Sequence, residues 1–344
     1  MTFNVTVLPS ERSFDVARDE AILPAAIRQG IGLPYGCKDG ACGACKCRLV
    51  EGRVIHGAHQ AKALTPAEEA QGFVLTCCAT PQTDVVLESR QVTALDQFPV
   101  VKMPVRVISI TKPAPDVAVL KLQLPATHNM RFHAGQYIEF LLKDGVRRAY
   151  SIATAPHLAQ GSIELHIRHM PGGVFTDHVF LSMKEKEILR VEGPFGSFYL
   201  REETPAPIIL LASGTGFAPV KAIVEHLQMR QSDRPVSLYW GCRSRRDLYL
   251  DAWAREAAQA LPQLKYVPVL SEPLPDDDWR GRTGLVHEQV LVDLPDLSGH
   301  EVYACGAPVM VEAAQRDFVA KGGLVPEHFF ADAFISAKDL AAGD

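Results

Sequence analysis

The sequence lacks any apolar run approaching the roughly 18 residues of a membrane-spanning helix, so no transmembrane segment is expected. It also lacks a basic excess. Lys and Arg number 35 against 40 Asp and Glu, giving a net charge of −5 and a pI near 6.2, which argues against nucleic acid or an anionic membrane as partner. No signal peptide, internal repeat or low-complexity stretch is evident. The 344 residues, 47% apolar, are too many for one ordinary core and predict two or three folded domains. Eight cysteines, unevenly spread and without a secretory segment, point away from a disulfide framework and toward the reducing cytoplasm.

Four of those cysteines are the most specific signal. Cys37, Cys42 and Cys45 in GCKDGACGACKC, with Cys77 in VLTCCATP, follow the C-x4-C-x2-C…C order of plant-type 2Fe–2S ligands. Gly36, Gly40 and Gly43 are expected to permit the tight loop, because glycine reaches φ > 0 and lets backbone N–H groups approach the sulfurs. Zinc is disfavoured, since only one C-x2-C knuckle is present. A Rieske centre needs two histidine ligands, and His56 and His59 stand beside no cysteine. Cys47 and Cys78 lie one or two residues from proposed ligands and are expected to point elsewhere, with Cys78 the competitor to Cys77.

Three blocks follow one another. In residues 1–92, TFNVTVLPS and SFDVA read as strands and DEAILPAAIRQG as a helix, with an acidic start, Pro24 near its first turn and Gly30 at its close. CKCRLVEGRV and TDVVLES supply further strands, a β-grasp order. Residues 93–102 are expected to be a linker. Over 103–202, VRVISI, VAVLKLQL, QYIEFLL, RRAYSIA, IELHIR and EILRVEG recur between Gly and Pro turns, predicting an antiparallel β-barrel. In 203–344, strands alternate with helices, predicting a doubly wound parallel sheet. The fold class is therefore multidomain, α+β and α/β.

The later blocks carry their own motifs. In RRAYSIA, Arg148 and Tyr150 project from one strand face, with Ser151 next. In MPGGVFTDHVF, Gly172 and Gly173 free the backbone before a helix whose start Thr176 is expected to cap, leaving open N–H groups for an anion. A metal at His166, His169 and His178 is disfavoured, because His166 and His169 have opposite strand parity and no carboxylate partners are expected. Gly193 and Gly196 are expected to shape turns. Gly214, Thr215 and Gly216 in GTGFAP follow the strand IILLAS and open a helix, the setting of a phosphate site. Pro219 stands where an ordinary Rossmann motif has its third glycine. Cys305 and Gly306 in YACGAP end another parallel strand, where ligands of such sheets bind.

Together these motifs resemble the iron–sulfur flavoprotein reductases of the ferredoxin–NADP reductase superfamily that carry an N-terminal ferredoxin domain, and the likeness spans nearly the whole chain. The resemblance implies a 2Fe–2S cluster, an FAD and a nicotinamide coenzyme. It implies Arg148 on the flavin pyrophosphate, Tyr150 flat on the isoalloxazine, Ser151 near the flavin N5, and the pyrophosphate resting at the turn of Gly172, Gly173 and Thr176. It puts Cys305 against the nicotinamide, and in FFADAF it gives Asp332 the place of an acid and Phe334 that of an aromatic covering the flavin. Arg243 and Asp247 match NADH-dependent relatives, although Arg245 and Arg246 beside them suit a 2′-phosphate; NADH is expected over NADPH. The implied activity is electron transfer from NADH through FAD and the cluster to an acceptor protein, by a monomer. The acceptor is a terminal oxygenase, a hydroxylase or a deoxysugar dehydratase, the ferredoxin segment and FFADAF looking like reductases of CDP-6-deoxy-glucoseen formation. The alternatives are a free-standing diaphorase or quinone reductase, and a redox-sensing module, for which GTGFAP and YACG would have no use.

Overall fold

The computed structural model describes residues 2–94, 98–127 and 130–335. Contacts divide the chain into two units. The first holds Met1–Pro99, Gly196–Phe198 and the chain from Ala331; the second holds Val100–Phe195 and Tyr199–Phe330.

In the first unit, β1 (Thr2–Leu8) and β2 (Arg12–Ala17) pair as an antiparallel hairpin that buries Val5, Val7, Phe14 and Val16. Helix α1 (Ile22–Arg28) follows, but the acids expected in its first turn precede it, Glu20 instead pairing with Arg28 at 2.7 Å. Then come β3 (Ile31–Gly32), β4 (Lys46–Glu51), β5 (Val54–His56), α2 (Pro66–Ala70), β6 (Phe73–Leu75), β7 (Ala79–Pro81), β8 (Val85–Glu88) and β9 (Thr93–Ala94). The main sheet runs β2-β1-β8-β4-β6, with β8 parallel to β1, the β-grasp arrangement. Helix α2 buries no residue. A capping box between Thr65 and Glu68 makes it, together with a 2.5 Å ion pair from Lys46 to Glu68. Part of the expected linker is strand, since β9 pairs with β3.

The second unit begins with β10 (Val101–Ala114), β11 (Val117–Gln123), β12 (Tyr137–Leu141), β13 (Arg147–Ser151), β14 (Ser162–Arg168), α3 (Val174–Asp177) and β15 (Ile188–Phe195). Alternation drives these strands. In β10, Met103, Val105 and Val107 are buried while Lys102, Pro104 and Arg106 are exposed. The order is β13-β12-β15-β10-β11-β14, and a bridge from Ile152 to Leu165 joins the two edges, closing a barrel around Leu120, Ile138, Phe140, Leu165 and Val191. Gly193, expected in a turn, lies within β15, where a Cβ would press on Ile138; Gly196, at φ +95°, does turn the chain.

Beyond the barrel lie β16 (Ile208–Ser213), α4 (Phe217–Arg230), β17 (Val236–Cys242), α5 (Asp251–Ala260), β18 (Leu264–Leu270), β19 (Arg282–Thr283), α6 (Val286–Asp293), β20 (Glu301–Gly306), α7 (Pro308–Ala320) and β21 (Phe329–Ala333). The sheet runs β19-β18-β17-β16-β20-β21, with parallel pairing from β19 through β20. Both central strands, IILLAS and EVYACG, are almost wholly buried, as helices on both faces require. The chain leaves β16 toward β17 but returns to β20 on the other side. The crevice outside these two strand ends is thus the switch point where such sheets take ligands. Among the described residues no helix is long and apolar enough to cross a membrane.

One half-buried titratable ring in this unit sets a pH dependence. His133 stacks on Tyr199 with centroids 4.3 Å apart, and burial, aided by the Arg201 charge, pushes its imidazole down to about 4. The unfolded chain takes up a proton near pH 6.5 that the folded chain refuses, so stability is lost as pH falls from 6.5 toward 4. Replacing His133 with Phe keeps a ring on Tyr199 and should remove about 2 kcal/mol of that loss. Urea unfolding of both proteins at pH 6.5 and 4.5 measures the difference. Equal pH slopes would contradict it.

Candidate active site

The cysteine loop is built by backbone shape. Gly40 and Gly43 take φ of +73° and +74°, and Lys38 takes +70°. A Cβ on Gly40 would stand 2.9 Å from the carbonyl oxygen of Ala58. Gly36, expected to share this role, has ordinary φ; its smallness instead serves proximity, since a Cβ there would be 3.4 Å from Cys42 Sγ. Within the loop, Cys37 N–H donates to Cys42 Sγ and Cys42 N–H to Cys37 Sγ, each at 3.4 Å, while Asp39 and Ala44 N–H donate to the same two sulfurs at 3.5 Å.

Across the sheet, Cys45 meets Cys77. Thr76 holds that junction, its N–H and hydroxyl both donating to Cys45 O at 3.2 Å. The four thiols therefore form two pairs, Cys37 with Cys42 and Cys45 with Cys77. Among the described residues no three His, Cys, Asp or Glu side chains gather around a single ion position. Two pairs suit two irons, each bound by two thiolates, and the donated N–H groups suit cluster sulfurs. Donation from Cys42 lowers the Cys37 thiol to about 6, and donation from Cys77 lowers Cys45. Cys47 is buried and pushed up to about 12 by desolvation. Cys78, less buried, touches Cys77, whose contact lowers it to about 7. His56 lies in β5, and His59 turns its ring to the carbonyl of Gly57 at 2.8 Å.

On the barrel, β12 and β13 pair so that Ile138 faces Tyr150 and Phe140 faces Arg148. Arg147 is committed elsewhere, bridging Glu139 and Glu192 at 2.6 and 2.5 Å. Tyr150 meets Phe175 of α3 at a centroid distance of 5.4 Å, which brings the RRAYS strand to the MPGGVF turn. Ser151 is buried. Thr176 does not cap the helix. Gly173 holds that position, and the Thr176 hydroxyl turns back to Met170 O at 2.9 Å. Gly172 N–H is taken by Asp177 at 3.0 Å. The histidines do have carboxylate partners: His166 with Glu164 at 3.1 Å, His169 with Asp177 at 2.9 Å, and His178 with Glu187 at 2.6 Å. Each pairs separately: Glu164 and His166 share one face of β14, two residues apart, while Asp177 and Glu187 reach His169 and His178 from eight and nine residues along the chain.

At the switch point, Ser213–Gly216 and Cys305–Ala307 lie back to back. Ala307 N–H donates to Ser213 Oγ at 2.9 Å, and Trp240 Nε1 donates to Gly214 O at 3.0 Å. Gly306 takes φ +131° against Ser213, and a Cβ on Gly216 would overlap the carbonyl of Cys305. Thr215 and Cys305 are buried. Arg168, which sequence reasoning missed, leaves β14 with its guanidinium 3.3 Å from the Cβ position of Gly214. Its Nε and Nη2 are buried without a hydrogen-bond acceptor among the described residues, Asp116 standing 3.6 Å away. Buried guanidinium nitrogens lacking an acceptor beside a glycine loop fit a phosphate. Asp332 belongs to the first unit, its Oδ1 3.7 Å from the Cβ position of Gly36, and half-buried Phe334 follows it there.

Barrel, parallel sheet and paired thiols define an iron–sulfur flavoprotein oxidoreductase. Comparison with known proteins agrees: residues 5–82 match the 2Fe-2S iron-sulfur cluster binding domain, 104–199 the oxidoreductase FAD-binding domain and 210–316 the oxidoreductase NAD-binding domain. The chain is 42% identical to the CDP-6-deoxy-L-threo-D-glycero-4-hexulose-3-dehydrase reductase of Yersinia pseudotuberculosis, over 98% of this chain and 100% of that one. It is 33% identical to the terephthalate 1,2-dioxygenase reductase component 1 of Comamonas, with 98% of each covered. Among solved structures, the ferredoxin reductase in carbazole 1,9a-dioxygenase superposes with a TM-score of 0.68 at 28% identity, over 97% of this chain and 99% of that one. The chain belongs to the iron–sulfur flavoprotein reductases of the ferredoxin–NADP reductase superfamily that carry an N-terminal 2Fe–2S ferredoxin domain, and is a reductase component with cluster, FAD and NAD(P) sites.

Proposed function

We propose that this reductase draws its electrons from NADH and delivers them to a deoxysugar dehydratase, with a terminal oxygenase as the second candidate. The state of the arginine turn after β17 carries the coenzyme choice. Arg245 is occupied by Asp277, its N–H donating to the carboxylate at 3.1 Å and its Nη1 to the carbonyl at 3.0 Å. Asp247 is spent on capping Ser244, at 3.0 Å from both its N–H and its hydroxyl. The acidic run of Glu272 and Asp276–Asp278 adds negative charge where a 2′-phosphate would come, which disfavours NADPH. Arg243 is exposed and available to the adenosine half. The partner reading rests on the higher identity to the hexulose-dehydrase reductase than to the dioxygenase component.

Bound FAD would supply the conversion of a two-electron donor into single electrons for the cluster. The chain's own residues bind and orient. Arg148 would hold the flavin pyrophosphate, Tyr150 one ring face, and Ser151 a hydrogen bond near N5. Arg168 and the Gly214–Gly216 loop would take the coenzyme pyrophosphate, and Cys305 would be covered by the nicotinamide ring. Cys37, Cys42, Cys45 and Cys77 would bind the irons. Asp332 is proposed as a neighbour of the cluster loop rather than a proton donor. Eight free thiols favour a reducing compartment.

Anaerobic titration tests the coenzyme. NADH should bleach the flavin absorbance at concentrations about tenfold below NADPH, the discrimination expected of a repelled phosphate. A preference for NADPH sinks the reading. The partner is tested by which acceptor the reduced protein turns over, dehydratase or oxygenase.

A further inference from the structure

The polypeptide leaving β13 passes Ser151 and Ile152 into Ala153–Ala155, beyond the last bridge of the barrel. Buried backbone groups there need partners from elsewhere. Ala153 N–H donates to Glu164 O at 2.7 Å, but Ala153 O and Ala155 N–H are met by side chains of α4. Lys221 Nζ donates to Ala153 O at 3.0 Å, and Glu225 Oε2 accepts from Ala155 N–H at 2.8 Å. The two side chains pair with each other at 2.6 Å, one turn apart, and both residues are 8% exposed.

Behind them the network continues. Lys221 Nζ stands 3.6 Å from Glu164 Oε1, which meets His166 Nε2 at 3.1 Å, and His166 Nδ1 reaches the Tyr249 hydroxyl at 2.8 Å. This line of contacts joins the strand that ends at Ser151 to the helix that begins immediately after Gly216. A buried ion pair contributes little net stability over an apolar pair of similar volume. What only the charged pair supplies is direction, because each of its atoms fixes one particular backbone group.

We propose that Lys221 and Glu225, backed by Glu164, His166 and Tyr249, form a buried polar staple that sets the flavin strand against the coenzyme helix and so positions the two reacting rings. The inference rests on the reading that FAD lies along Arg148–Ser151. Lys221 and Glu225 are positioning residues, acting through the backbone of Ala153–Ala155.

The test replaces the pair with apolar residues, Lys221→Met with Glu225→Leu, in the FAD-loaded full chain. Such a swap keeps the volume and removes both charges together, but it leaves Ala153 O and Ala155 N–H unpaired, so the melting temperature should fall by several degrees while FAD content, loaded at saturating FAD, stays near wild type. Amide exchange over residues 153–155 should rise about tenfold, and the rate of flavin bleaching at saturating coenzyme should fall about tenfold with the coenzyme Kd nearly constant, since sub-ångström misplacement acts on rate rather than affinity. Lys221→Arg, which retains a donor, should recover most of the rate. A bleaching rate in the double variant equal to wild type overturns the proposal, whatever exchange shows. If the double variant does not fold, Tyr249→Phe removes one hydroxyl from the same line, and an unchanged rate there overturns it equally. FAD content of the wild type, read first, separates failure of the flavin reading from failure of the staple.

Discussion

Substituting Cys77 by serine should strip the protein of its cluster, lowering iron and acid-labile sulfide per chain by about tenfold, because a hard hydroxyl replaces a soft thiolate. Cys78→Ser should leave both near wild type. The two cysteines are adjacent, and only their environments separate them. Cys77 is buried against Cys45, whose carbonyl is gripped twice by Thr76, whereas Cys78 is more open. A cluster needs its fourth thiolate on the inner side, beside the third. Iron and sulfide analysis, with the visible and EPR spectra of the reduced protein, decides the matter. An intact cluster in Cys77→Ser, with loss in Cys78→Ser, transfers the ligand role to Cys78.

Gly216→Ala should cut coenzyme-driven flavin bleaching by about a hundredfold in kcat/KM while leaving the cluster spectrum and reduction by dithionite unchanged. The cause is overlap, not backbone strain, since Gly216 has φ −58°. A methyl group there would stand 2.5 Å from the carbonyl carbon of Cys305 and 2.8 Å from Gly306 Cα. Both neighbours are backbone, so neither can rotate away. The glycine loop and the end of β20 must separate, and with them the two sides of the switch-point crevice proposed for the coenzyme. Stopped-flow bleaching against coenzyme concentration measures the loss, and a variant within threefold of wild type would show that this close packing is not required.

Much of this is legible in the sequence. Period-two alternation marked β1, β2, β10, β11 and β15, and continuous apolar runs marked β16 and β20, because those patterns reflect burial on one face or two. The cysteine spacing and GTGFAP were readable because each packs its chemistry into a few consecutive residues. The remainder depends on contacts distant in sequence. Arg168 becomes conspicuous only when the barrel strand that bears it meets Gly214. Glu187 finds His178, and Asp177 finds His169, only once the intervening chain has folded back. Thr176 looked like a cap because it precedes a helical pattern, but the helix starts two residues earlier, at Val174, and its hydroxyl serves the turn instead. Helix α2 has a local signal in Thr65 and Glu68, but five residues of which none is buried give no period to detect.

The first unit is sewn from three separate pieces of polypeptide. Tyr35, two residues before Cys37, receives the Ser197 hydroxyl on its carbonyl at 3.0 Å and donates its own N–H to that oxygen at 2.8 Å. Asp332 stands beside the next residue, Gly36. An exchange of iron–sulfur modules between such reductases that cuts only near residue 99 would therefore transplant an incomplete part, leaving Ser197 and Asp332 behind in the donor. A faithful graft must carry Ser197 and Asp332 with it, so the module is not an interchangeable cassette even though its own cysteines all lie within the first 80 residues.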